Sequence, residues 1–296
     1  MPAPLLLLAL ALAGTDADTT VRLPRNGAIE IDTRMRDVVV RTGTTDLVSV
    51  RGGQAELDGG TLQVSGDDRR NRNSGAMEVT VPGWARVEVS SIGGNLTFTG
   101  SPDQLHAETV NGFIHMTGGS GRVELETVAG GVVVTDFHGT HLAIDSTGED
   151  VSVTNASGAL EVDNVNGDVI LRGIRANTVS ASSINGVVQF EGVLAPTGTY
   201  EFSSQNRDIT LWLPADVSAR MRISTMNGEL TTQIPATTNG MTVDGRTPPP
   251  DKGKGKGKQG DQNDGDERTF TVVYGSGAAR VSIDAFNGNI VVKKRQ

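Results

Sequence analysis

The sequence predicts an all-β chain wound as a single-stranded parallel β-solenoid, or β-helix, with coils of about 18–21 residues and a right-handed sense. Three observations lead there. An Asn-Gly pair recurs between short runs of alternating apolar residues, most clearly from Leu160 to Leu171, Leu-Glu-Val-Asp-Asn-Val-Asn-Gly-Asp-Val-Ile-Leu. The residue before that pair falls at Ile92, Val110, Val128, Thr147, Val165, Ile184, Gln205, Met226 and Phe286, in steps of 18, 18, 19, 18, 19, 21, 21 and 60. The composition fits as well: 38 glycines serve many tight corners, and 4% aromatic residues leave a narrow core to β-branched side chains.

Alternation of period two marks short strands with one buried face, as in Leu105, Ala107, Ile114 and Met116 around Asn111-Gly112. Such a unit has two readings. Asn-Gly between strands is a strong hairpin signal, because a type I′ turn needs positive φ at both central residues, and a chain of hairpins would give an antiparallel meander. The pair is otherwise the corner of a parallel solenoid. The residue before it is apolar in seven of the nine units, which suits a corner pointing into a solenoid core, and the near-constant step suits stacking. The corner asparagines Asn111, Asn166, Asn185, Asn206, Asn227 and Asn287 would then lie above one another and bond along the stack, a structural role rather than a binding one.

Taken in order, residues 1–13 read as a secretory signal peptide. Leu5 to Ala13 is a short apolar core and Ala11-Leu12-Ala13 a small-x-small cleavage site, although the first four residues carry no Lys or Arg. This run is too short to span a bilayer, and no later segment comes close. Residues 21–84 form an irregular N-terminal cap of β coils, with Ile29, Ile31, Val38 and Val40 in one unit and further strands at Val48–Val50 and Leu62–Val64. Residues 66–75 are a polar, solvated loop with three arginines. Residues 85–296 are the regular solenoid, interrupted at 237–268 by an insertion that runs from a Lys-Gly repeat to an acidic stretch. Having almost no apolar residues, it should be disordered. Asp261 to Glu267 fails as a calcium loop, since Gly265 stands where an oxygen ligand belongs.

Two stretches carry a resemblance. Glu78-Val-Thr-Val-Pro-Gly-Trp-Ala-Arg-Val-Glu-Val-Ser-Ser-Ile-Gly-Gly-Asn-Leu returns as Thr210-Leu-Trp-Leu-Pro-Ala-Asp-Val-Ser-Ala-Arg-Met-Arg-Ile-Ser-Thr-Met-Asn-Gly-Glu-Leu, each strand ending at a proline, Pro82 or Pro214. Over roughly residues 21–296 the chain resembles the bacterial adhesin-like β-strand-repeat family, a domain of unknown function. The resemblance implies an exported β-helical protein and supplies no catalytic motif. Thr147-Gly148-Glu149 and Gln205-Asn206-Arg207 depart from the usual turn pair.

Chemistry is sparse. Net charge is −9, with 26 Lys+Arg against 35 Asp+Glu, and no basic groove or aromatic platform suits nucleic acid. With no cysteine, and with His106, His115, His138 and His141 outside any metal spacing, no metal site is predicted, and no cofactor. Carboxylates are numerous on the repeats, such as Glu124, Glu126, Asp145, Glu161 and Asp163; alternation puts Glu124, Glu126 and Glu161 on the outer face, which reads as solvated, whereas a glycosidase needs a pair set across a cleft. No catalytic, cofactor-binding or metal residue is therefore assigned. The expectation is a non-enzymatic exported envelope or surface protein, located in the periplasm or at the cell surface of a bacterium. It would act as an adhesin-like interaction scaffold for an envelope protein or glycan, with neither nucleic acid nor an integral membrane span. The alternatives are a polysaccharide-degrading β-helix lyase or hydrolase and an envelope-stress sensor component.

Overall fold

The computed structural model describes residues 18–66, 75–236, 241–244 and 268–295. The signal segment 1–13 and most of the 66–75 loop lie outside these residues, as does most of the 237–268 insertion. All regular structure among the described residues is β. As the alternation predicts, each repeat unit gives one strand to each of two parallel ladders. In the front ladder Gln104–Thr109 pairs in register with Arg122–Thr127, which pairs with His138–Ser146, then Ser157–Asn164 and residues 178–183. In the back ladder Ile114–Thr117, Val132–Thr135, Val151–Thr154 and residues 169–172 follow one another in the same way. The hairpin meander is excluded, because strands flanking an Asn-Gly pair bond to the units before and after rather than to each other.

The space between the ladders is filled by the inward columns. Leu105, Val123, Leu142, Leu160 and Val179 stack in one, and Ile114, Val132, Val151, Val169 and Val188 face them, all at most 2% exposed. Each unit alone buries too little apolar surface to offset its ordering entropy, so the stack stands only as a stack.

The Asn-Gly corner differs from the hairpin signal in its φ angles and from the expected inward-pointing corner in its exposure. The glycines of the Asn-Gly pairs do not have positive φ. A Cβ on Gly112, Gly130, Gly186 or Gly228 would instead collide with the backbone carbonyl of the adjoining unit. Glycine is required there by close approach of stacked backbones. Positive φ occurs at the opposite corner, where Gly100, Gly118, Asp136, Asn155 and Gly173 recur at the repeat step, and where glycine, Asp and Asn are the residues that tolerate it. The second departure corrects the inward reading of the residue before the pair. Ile92 is 50% exposed, Val110 42%, Val128 53%, Ile184 39% and Phe286 50%. Alternation runs on through the corner: Val162 faces in, Asp163 out, Asn164 in and Val165 outward at partial exposure.

The inward position just before that residue holds a buried polar side chain that closes the corner. Ser183 Oγ accepts from the Gly186 amide at 2.9 Å and donates to the Gly167 carbonyl of the preceding unit at 3.0 Å. Thr127 and Thr225 repeat both bonds, and Asn164 repeats them through its side-chain amide. Outside, the asparagine ladder forms as predicted, Asn185 to Asn166 at 2.9 Å and Asn206 to Asn185 at 2.8 Å.

Its continuation changes the order of the units. Asn287 bonds to Asn206, and Asn227 to Asn287. Ala279–Ala285 lies between Thr199–Ser204 and Ala219–Thr225, and Ile290–Lys294 between Ile209–Leu213 and Leu230–Thr232. The N-terminal end does the same, with Ala28–Thr33 between Thr61–Ser65 and Arg86–Ser91. At the N-terminal end antiparallel strands cover both ladders, Gln54–Asp58 the front and Leu47–Arg51 the back. At the other end Arg268–Tyr274 with Met241–Asp244 covers the front ladder, which keeps that edge from pairing with another sheet. Met241–Asp244 falls inside the segment expected to lack structure.

Candidate interaction face

The outward positions of the front ladder and its corner build one continuous strip. Parallel register places Glu108, Glu126, Asp145 and Asp163 directly beside one another on four successive strands. Two residues further along each chain stands the corner column, Val110, Val128, Thr147 and Val165, which continues to Ile92 at one end and Ile184 at the other. A shallow open groove of about 440 Å³ runs between the two columns, its floor formed by the inward polar residues Thr109, Thr127, Ser146 and Asn164.

Like charges on adjacent strands repel, and rungs of a ladder are only about 4.8 Å apart. The column relieves this in part with neutral donors. Ser90 Oγ donates to Glu108 at 2.7 Å, and Ser182 Oγ donates to Asp163. Asp145 has no such donor. Partial desolvation in the groove, followed by the charges of Asp163, Glu126, Glu161 and Glu124, holds its carboxyl above the ordinary range. Among the described residues, no lysine or arginine forms an ion pair with the column.

Register also joins what sequence spacing kept apart. His106 sits beside Glu124, with Nδ1 3.7 Å from the carboxylate, and the donor atoms of His106, Glu124 and Glu126 all lie within 4.8 Å of one another. These three are the described residues whose donors could share a cation, although no recognised metal spacing marks them. His115 is exposed on the back ladder, and His138 bonds Ser157 at 3.1 Å. The carboxylates named in the sequence all face outward. Those in the column share one face rather than opposing one another across a cleft, which is not the arrangement of a glycosidase pair. What the strip offers instead is a line of negative charge beside a largely apolar corner column with Val110 and Val128 exposed, and such patches on a folded protein mark contact surfaces.

Sequence reasoning found the carboxylates but missed the strip, since it placed the apolar column in the core. Strict period two, carried through Asn164, would have found it.

Among known proteins, the family model described as Toastrack DUF4097 matches residues 26–248. No curated protein matches the chain. Similar solved structures include a "putative adhesin" from Parabacteroides merdae, 13% identical, covering 68% of this chain and 90% of that one with a TM-score of 0.47. A "putative adhesin" from Bacteroides fragilis is also 13% identical, covering 93% and 96% at 0.37. A "putative lipid binding protein" from Parabacteroides distasonis is 10% identical, covering 95% and 97% at 0.41. No helix among the described residues is long and apolar enough to cross a membrane.

Proposed function

The chain belongs to the Toastrack DUF4097 family, and we propose that it is an exported, non-enzymatic interaction scaffold of the bacterial envelope or cell surface. The two ladders are the faces of a right-handed β-solenoid with coils of 18–21 residues, the hand that parallel β connections favour. One observation carries the reading: the corner column exposes Ile92, Val110 and Val128 on three consecutive units, and Ile184 and Phe286 further along, although each of those side chains would gain by being covered. A fold needs its corner closed, and the buried hydroxyls and glycines do that. It does not need valine, isoleucine and phenylalanine on the outside of it. The leader at 1–13 supports export, and the flat carboxylate column favours binding over hydrolysis.

The test is a photo-reactive side chain placed at Val128 in the full chain, expressed in a bacterial envelope, against the same group at exposed Thr117 on the back ladder. A discrete adduct specific to position 128 is expected, in the envelope fraction. Equal labelling from both positions, or retention in the cytoplasm, would refute the scaffold reading.

A further inference from the structure

The chemistry of the strip limits what it can hold, and we infer that its partner is a basic amphipathic helix of another protein, laid lengthwise along the groove with lysine or arginine over the carboxylate column and apolar side chains over the corner column. This inference rests on the scaffold reading and narrows it to one class of partner.

Charge selects the sign. Four carboxylates stand in register with only the Ser90 and Ser182 hydroxyls as neutral donors and no lysine or arginine paired to them among the described residues, and Asp145, partly desolvated and flanked by like charges, is held above its ordinary range, so positive charge from outside is favoured. A second copy of this chain docked by the same strip would set carboxylates against carboxylates, in a chain whose net charge is already −9.

Spacing selects the shape. The four carboxylates span three rung steps, about 14 Å at roughly 4.8 Å each. Three turns of an α-helix advance about 16 Å, so charges at i, i+4, i+7 and i+11 stay within reach of flexible side chains. Same-face residues of an extended strand repeat at about 6.7 Å and would drift by nearly 6 Å over the same three steps. The apolar column lies two residues along each strand from the acidic one, on the order of 6–7 Å away, so adjoining rows of one helix cover both columns together.

The experiment uses the full chain and a fluorescent synthetic peptide of roughly 18 residues, with lysines at i, i+4, i+7 and i+11 and leucines along the adjoining row. Its controls are a scrambled peptide of the same composition and a version with glutamate for lysine. Binding of the designed peptide is expected, weakened at least about tenfold by Glu126→Gln with Asp145→Asn, and by a similar factor by Val128→Ser with Val110→Ser. Neither control peptide should bind comparably. Equal binding of the scrambled peptide, or unchanged affinity in both double variants, overturns the inference. If deleting residues 247–267 raises affinity about tenfold or more, the chain's own lysine repeat occupies the strip and the external helix is wrong. A dimer in sedimentation that Val128→Ser dissolves would assign the strip to a second copy. Should the photo-adduct at position 128 form while the basic peptide does not bind, the scaffold reading stands and only the partner chemistry falls.

Discussion

Replacing Ser183 by alanine removes one hydroxyl that closes a corner and also ties it to the unit below. Ser183 is 3% exposed, and its oxygen is the partner of the Gly186 amide at 2.9 Å while its proton goes to the Gly167 carbonyl at 3.0 Å. Alanine leaves that amide buried with no acceptor and takes from the Gly167 carbonyl the hydroxyl that bonds it, a loss of about 1–3 kcal/mol. The matching position is threonine at Thr109, Thr127 and Thr225, so Ser183→Thr should stay within roughly 1 kcal/mol of the parent. Ser183→Val, which has threonine's shape without its hydroxyl, should fall with alanine. Urea unfolding followed by tryptophan fluorescence checks this, since Trp212 sits in the same stack on the back ladder, and a shifted midpoint at constant slope reports stability itself. An alanine variant within about 0.5 kcal/mol of the parent, or a threonine variant as weak as alanine, would refute the argument that the hydroxyl holds the corner.

Other substitutions test the remaining features. Gly186→Ala forces a Cβ into the Gly167 carbonyl and should cost at least about 2 kcal/mol, whereas Gly75→Ala, with open space around it, should be neutral in the same denaturation assay. Val128→Ser should change stability by less than about 0.5 kcal/mol because the side chain is exposed, while Val162→Ala in the core should lose roughly 1–3 kcal/mol. Asp145→Asn should raise the thermal midpoint at neutral pH. The native fold raises the Asp145 pKa, so its carboxylate opposes folding above the ordinary range. That gain should vanish at pH values low enough to protonate Asp145 in both states, and a constant gain across the pH series would refute it.

The sequence made the parallel stack legible because two signals agreed, a step near 18 residues and apolar alternation. It misled at Val165, where apolar character was taken as a mark of the core. The inward neighbour Asn164 is polar and buried, and what makes it tolerable is its pair of bonds to Gly167 and Glu149, which no hydropathy pattern records. A weaker signal was present: a hydroxyl or amide side chain stands three residues before the corner glycine in Ser91-Gly94, Thr127-Gly130 and Ser183-Gly186. The Asn-Gly pair pointed to the right corner for the wrong reason, since close approach of backbones and positive φ both select glycine and the sequence does not separate them. The strip itself is a product of register. His106 and Glu124 are 18 residues apart along the chain and neighbours across the ladder. The order of the last units was not legible, because Asn287 reads equally well as the next unit in line or as one slipped between two others.

That slipped order changes what it takes to come apart. In a simple stack the last segment synthesised is the outermost, held on one side, and the ladder can be peeled from its free end. Here residues 279–294 are gripped on both sides, by 199–213 and by 219–232, so this segment is the latch of the assembly. For a chain that emerges N-terminus first, 219–232 arrives with its seat not yet built, and waits for residues 279–294, which follow it, before it can dock. Closure of that end is therefore a single late event. Loss of the last two strands would strip the neighbouring segment of its place as well as removing a rung.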